Sequence, residues 1–289
     1  MACAQLVGRA GQDCGNGLSY LDGNTRIRGS APGARAWNLA VGDHEERVRQ
    51  ATDVLSRSGM ILRGCEKELR RSASWYRTVN RRQARALDAA HAVPGPGRPV
   101  TRAAPVGPAD FLDVRDASGQ LKPAREHGWL RAQAYAPSLV TGRIGGDWLT
   151  YLRCAEAWNS LGDLCAAMAT NLRHGNEVLG GSWQGNAADT AWTYVERTAD
   201  RIDAVGRSFH ALREQYVSVT EVATRFAAPG EADAARPCGR PAGAGGQGDL
   251  LHEVSAALAG TGPALAALCD DLRRFPVLGG DEPRTAEPG

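Results

Sequence analysis

The sequence predicts an all-α protein, an elongated antiparallel helical hairpin or bundle built from long coiled-coil-like helices and irregular linkers. Proline, which costs about 3 kcal/mol or more inside a helix, is absent from two long windows, residues 33–93 and 138–228. Within both windows apolar residues recur at helical spacing. Aromatic residues make up 6% of the chain and hydrophobic residues 43%, which favours small side chains between closely packed helices.

The first window predicts one long amphipathic helix over residues 37–92. Its glycines lower the helix propensity locally, so a kink or a hairpin is expected near Gly59. Its main apolar seam repeats every seven residues, as in a coiled coil, through Val48, Leu55, Leu62, Leu69 and Tyr76.

The second window predicts a helical hairpin over residues 147–228. Between its two apolar stripes lies the run Gly180–Asn186, whose glycines can end one helix and whose asparagine can cap the next. Trp183 and Gly185 form the turn motif, in which a tryptophan is expected to pack over the hairpin end or into a partner. The face expected to pack against other helices or a partner consists of Val195, Ile202, Val205, Phe209, Leu212, Tyr216 and Val219.

The remaining segments lack long periodic patterns. Residues 1–36 are glycine-rich and predict a flexible N-terminal segment, and residues 93–146 predict a Pro/Gly-rich linker with one short helix near 125–135. Residues 229–289 predict a flexible tail that carries short helices near 250–258 and 264–275.

Composition gives no indication of catalysis, cofactor binding or metal binding. The six histidines are scattered singly, and the adjacent Asp270 and Asp271 would point to different faces of a helix. The seven cysteines include no CxxC pair, so no zinc site is expected, and Cys65, Cys154 and Cys165 fall on apolar positions. The formal net charge of +2 argues against an obligate nucleic-acid binder. We therefore expect no enzyme, no cofactor and no metal, and no transmembrane segment.

The Trp183-Gln184-Gly185 turn between two heptad helices, followed by Asn186-Ala187-Ala188, resembles the WXG family of type VII secretion substrates. The resemblance covers roughly residues 147–226. It implies a hairpin that pairs with another helical hairpin protein or with itself into a four-helix bundle, without enzymatic activity. It also implies a protein that is cytoplasmic before export and then secreted or held at the cell surface by the type VII machinery of actinobacteria or Gram-positive bacteria. Independently, the first residues show no basic region followed by an apolar run, so no general secretory signal peptide is expected. The family export signal, Tyr-x-x-x-Asp/Glu, is not matched at Tyr216, which Thr220 follows at that distance.

A second resemblance concerns the end of the first long helix. The run from Trp75 to Leu87 is similar to the closing helix of type VII secretion-associated helical proteins. In those proteins a tyrosine is followed four positions later by an acidic residue. Tyr76 and Asn80 hold these places here and form a degenerate export signal, while the residue pattern alone makes Tyr76 a core residue.

Two other functions stay open at this point. The chain could be the N-terminal or remnant part of a polymorphic toxin system, since the family often places such hairpins before a toxin domain. It could also be an intracellular coiled-coil scaffold that uses an arginine-rich face, although a solvated helix face explains those arginines as well. The arginines of the arginine-rich face are Arg70, Arg71, Arg77, Arg81, Arg82 and Arg85.

We further hypothesise that the helix over 43–91 packs on the hairpin 147–226 of the same chain.

Overall fold

The computed structural model is all-α over the residues that it describes, which are 2–27, 29–90, 116–123, 144–182, 186–227, 244–259 and 262–278. No strand occurs among them. A 3₁₀ turn lies at Ser118–Gln120. The helices are α1 (Ala2–Asn24), α2 (Arg35–Ala90), α3 (Trp148–Ser182), α4 (Asn186–Ala227), α5 (Ala244–Leu258) and α6 (Gly262–Arg274).

Helix α2 is continuous through its three internal glycines, Gly42, Gly59 and Gly64. The hairpin expected near Gly59 is therefore wrong. Gly59 lies against Cys14 of α1, where a Cβ would come within 3.3 Å of the cysteine Cβ, and Gly64 lies against the backbone carbonyl of Leu278. Glycine lowers the helix propensity at both positions, but the absence of a side chain there lets Cys14 and Leu278 approach α2 closely.

Helices α3 and α4 form an antiparallel hairpin with three residues between their ends. Near the turn, the Asn176 side-chain amide donates to the Trp192 carbonyl at 3.1 Å. At the opposite end, the rings of Tyr151 and Tyr216 stack with their centroids 4.3 Å apart. The two helices therefore stay in contact along most of their length, as the shared heptad period predicts.

The expectation of a flexible N-terminal segment over 1–36 is wrong for residues 2–24, which form α1. Helix α1 lies against both α2 and α3, and Gly17 contacts Leu55 of one and Leu164 of the other. The glycines that suggested a loose chain include Gly8, Gly11 and Gly17, which lie against neighbouring helices. The buried residues at helical spacing on α1 are Cys3, Val7, Ala10, Cys14 and Leu21.

The short helices expected near 250–258 and 264–275 are present as α5 and α6. They are not part of a flexible tail, because both pack on α2 and α4. Arg57 of α2 donates to three carbonyls at the end of α6, those of Leu272, Arg273 and Phe275, at 3.1–3.2 Å. These bonds satisfy carbonyls that a helix end leaves without an intrahelical partner. The buried hydrophobic side chains on the two helices and just after them are Leu250, Val254, Leu258, Leu265, Cys269, Leu272 and Phe275.

Most of the linker over 93–146, with the short helix expected near 125–135, lies outside the described residues. Residues 116–123 are described and are held on α1. The Ser118 hydroxyl donates to the Asp13 carboxylate, and the Tyr20 hydroxyl donates to the Lys122 carbonyl at 2.6 Å. This part of the linker is therefore attached to the bundle.

Candidate interaction surface

The face of α4 expected to pack against other helices or a partner lies inside the chain's own core. All seven of its residues, Val195, Ile202, Val205, Phe209, Leu212, Tyr216 and Val219, are at most 2% exposed. Ile202 and Val205 share one interior region with Cys14 of α1 and Leu55 of α2. The expected packing role is therefore correct, and the face is not free to meet a second chain, because α3 covers most of it and α2, α5 and α6 contact α4 as well.

The hypothesis that the first long helix joins the hairpin within one chain agrees with this arrangement, with one difference. Helix α1 lies between α2 and α3 and contacts both of them. The direct contact between α2 and the hairpin is less extensive than the contact of α1 with α2 or with α3. A helix that the sequence pattern did not reveal thus completes the bundle.

The turn motif, Trp183 and Gly185, lies outside the described residues, so the packing expected for Trp183 stays a prediction. The hairpin end beside it exposes apolar side chains. Trp192 of α4 is 44% exposed and Val178 of α3 is 36% exposed. Trp192 directly follows the partly buried seam position Ala191, so its place beside the seam could have indicated that its side chain is exposed.

Trp75 of α2 lies at the same end of the bundle. Helix α1 runs antiparallel to α2 and α3, with Gly8 against Glu66 and Leu6 against Gly175. Trp75 is nine residues beyond Glu66, and the turn between α3 and α4 is equally far beyond Gly175. The Trp75 side chain is 60% exposed, the highest value among the large hydrophobic side chains that the structure describes.

The degenerate export signal lies on this same stretch of α2. Tyr76 is half-buried and packs edge-on against Trp75 with the ring centroids 5.0 Å apart, while Asn80 is exposed one turn later. The prediction that Tyr76 is a core residue is wrong, because it lies beyond the part of the seam that α1 covers. Asn80 is exposed and Tyr76 is partly exposed, and their role as an export signal stays a prediction.

The cysteines, which could act as nucleophiles or metal ligands, lie in the packed interior of the described part of the chain. Burial raises the pKa of the thiols of Cys14, Cys65 and Cys154 to about 12, so these thiols are poor nucleophiles and poor metal ligands. All six described cysteines are buried free thiols. Among the described residues no group of three or more His, Cys, Asp or Glu side chains is placed to hold a metal ion.

His44 is the histidine that the structure buries most deeply among those it describes, at 3% exposure. Its Nε2 lies 2.7 Å from the Thr25 carbonyl, which can only accept, so Nε2 carries the proton and Nδ1 accepts from the Tyr216 hydroxyl at 2.7 Å. Burial lowers its pKa to about 4. The ring is a neutral core residue that joins α2, α4 and the end of α1.

The aspartates of α6 are engaged in ion pairs. The Arg201 guanidinium lies 2.8 Å from the Asp271 carboxylate and over the Phe275 ring at 4.1 Å. Asp270 pairs with Arg273 at 3.2 Å, so the two adjacent aspartates do point in different directions, as the sequence predicts. His210, expected at the surface, is half-exposed and lies 3.2 Å from Asp163.

Comparison of the chain with protein-family models, with curated proteins and with solved structures gave no match. Within the described part of the chain, none of the helices combines the length and the apolar character that crossing a membrane requires.

Proposed function

We propose that this protein is a non-enzymatic, type VII secretion-related protein, a substrate, adaptor or partner that acts through contacts between helices. The observation that carries the proposal is the α3–α4 hairpin. Two helices of 35 and 42 residues run antiparallel with a seam of heptad spacing between them. The three residues that join them are Trp183, Gln184 and Gly185, the motif on which the resemblance to the WXG family depends.

The structure changes how such a protein would meet its partner. In the two-chain bundle that the resemblance implies, the hairpin seam faces a second hairpin. Here α1, α2, α5 and α6 cover it within one chain. Contacts with a partner or with the secretion machinery therefore fall on the hairpin end and on the exposed part of α2, where Trp75, Tyr76, Asn80 and Trp192 are accessible.

Export in a bacterium that has a type VII system tests the proposal. A tagged full chain should reach the medium when the secretion ATPase is active and stay in the cells when it is inactive. Trp183→Ala should reduce export, whereas Leu39→Ala, a change at an exposed apolar side chain near the opposite end of α2, should leave it unchanged. Equal amounts in the medium with the inactive ATPase, or in neither strain, would contradict the proposal.

The same cells distinguish the other two functions. Growth arrest on expression of the chain inside the cell would favour a toxin-related protein. Retention in the cytoplasm together with steeply salt-dependent DNA binding would favour the arginine-rich scaffold.

A further inference from the structure

A polar cleft lies between α4 and the end of α6. It has a volume of about 570 Å³, which falls within the range of small-molecule sites, about 300–1,000 Å³. One wall is a face of α4 that includes Tyr194, Arg197 and Arg201. The other wall is the end of α6, with Arg274 and, directly after it, Phe275. We call this space the α4–α6 cleft.

Contacts between the two walls hold the cleft in shape. The Arg201 guanidinium lies 2.8 Å from the Asp271 carboxylate and 4.1 Å from the centre of the Phe275 ring. The Tyr194 hydroxyl donates to the Pro276 carbonyl at 2.6 Å, and the rings of Tyr194 and Phe275 lie with their centroids 5.0 Å apart. The walls are therefore ordered before a ligand arrives, so that a ligand does not have to supply the free energy of ordering them.

The arginines of the two helices differ in their partners. Helices α4 and α6 contain seven arginines. Two of them, Arg197 and Arg274, form no ion pair with the described residues, and both line the α4–α6 cleft. Arg274 donates through Nε to the Asp270 carbonyl of its own helix, which leaves its charge uncompensated. The five that pair with a carboxylate are Arg201, Arg207, Arg213, Arg225 and Arg273.

The cleft is positively charged at the end where these two arginines lie. Asp271 also lines it, but its carboxylate is paired with Arg201. The other carboxylate of the lining, Asp189, is eight residues before Arg197, which corresponds to about 12 Å of helix. Two uncompensated guanidiniums in a concave site attract an anion, and their planar forks match the oxygens of a phosphate or a carboxylate.

We propose that the α4–α6 cleft binds a small-molecule oxyanion, with its phosphate or carboxylate group between Arg197 and Arg274. The remainder of the ligand lies along Tyr194. Asp189 at the other end disfavours a polymer that carries negative charge along its whole length, such as a nucleic acid. The proposal concerns a site that the secretion-related function does not use.

Isothermal titration calorimetry on the full chain tests the site with two probes. Pyrophosphate represents phosphorylated ligands and citrate represents polycarboxylates, and the tighter of the two identifies the class of ligand. At least one should bind with a Kd below about 10 mM at about 50 mM NaCl. That Kd should rise about threefold or more at about 500 mM NaCl, because salt screens exposed charges. No binding of either probe up to about 10 mM would overturn the proposal.

Removal of charge locates the binding. Arg197→Gln together with Arg274→Gln should raise the Kd by about tenfold or more, since the charge-assisted hydrogen bonds to the anion are lost. The matched control, Arg153→Gln together with Arg225→Gln, changes the total charge equally at two exposed arginines outside the cleft and should change the Kd less than about twofold. Circular dichroism should show both variants folded, because all four side chains are exposed. Similar changes of Kd in both variants, or none in either, would overturn the site.

The acidic end of the chain is the alternative occupant. Residues 279–289 carry Asp281, Glu282 and Glu287, and they begin three residues after Pro276, which lines the cleft. A chain without residues 279–289 distinguishes the two occupants. Equal binding of the probe by the full and the shortened chain would support the proposal. Binding only by the shortened chain would identify residues 279–289 as the occupant and overturn it. Because the assay uses purified protein, failure of export leaves its result unaffected.

Discussion

Acidification should destabilise this protein through His44. The imidazole is neutral in the folded chain, with its Nε2–H bonded to a backbone carbonyl and its Nδ1 accepting from the Tyr216 hydroxyl. Protonation would place a second N–H against that hydroxyl and a positive charge in the core. Burial is the larger influence and lowers the pKa, and the hydrogen bond to the Thr25 carbonyl opposes it. The folded state therefore binds this proton less readily than the unfolded state.

The pKa difference gives the magnitude. The pKa falls from 6.5 to about 4 on folding, and each unit corresponds to about 1.4 kcal/mol. Between these two values the unfolded chain holds the proton and the folded chain does not, so the free energy of unfolding falls as the pH is lowered. The full effect is about 3 kcal/mol, complete near pH 4, and it is absent above pH 7.

Urea denaturation at several pH values measures the effect. Other groups titrate in the same range, and desolvation raises the pKa values of Asp13 and the partly buried Asp43, which stabilises the fold in acid. The quantity to follow is therefore the stability difference between the natural chain and His44→Gln, which cannot titrate there. This difference should shrink by about 3 kcal/mol from pH 7.5 to pH 4. In the control, His252→Gln, an exposed histidine is replaced. A His44→Gln difference that stays constant within about 0.5 kcal/mol would refute the argument.

Three further predictions concern packing. Phe209→Asp should cost about 4 kcal/mol or more in urea denaturation, because it removes a ring with 0% exposure and buries a charge without a partner; an unchanged midpoint would contradict the burial. Gly146→Ala should lower stability by about 1–3 kcal/mol, since Gly146 has a φ of +99° and a Cβ there would collide with Trp37, whereas the control Gly42→Ala, in open space inside α2, should raise stability by about 0.5–1 kcal/mol. Alkylation followed by mass spectrometry should leave Cys14 unmodified until the chain unfolds, because its buried thiol has a pKa of about 12; fast modification of the folded chain would show that α1 detaches.

The positions of most helices could be predicted from the sequence because proline placement and hydrophobic periodicity act over neighbouring residues. The two proline-free windows contain α2, α3 and α4, and the short helices of the C-terminal region appear as α5 and α6. The seam from Val195 to Val219 is buried because its period of three and four places every member on one side of α4. Helix α1 gave no such signal. Its buried surface mixes Cys, Ala and Gly with a few larger residues such as Val7 and Leu21. The small residues weaken the hydrophobic pattern, and the glycines lower the helix propensity.

Which of these surfaces meets another part of the chain depends on tertiary structure. The heptad pattern of α2 is the same at Leu62, Leu69 and Tyr76, yet the first two side chains are buried and the third is not. The difference arises because α1 is shorter than α2 and covers only part of its seam, and the lengths and register of two separate helices are not contained in the period of one. The sequence alone therefore predicted an all-α chain with long amphipathic helices. Only the packing of α1 between α2 and α3 decided that the hairpin seam is internal and that no side chain of α2 from Arg70 to Gln83 is buried.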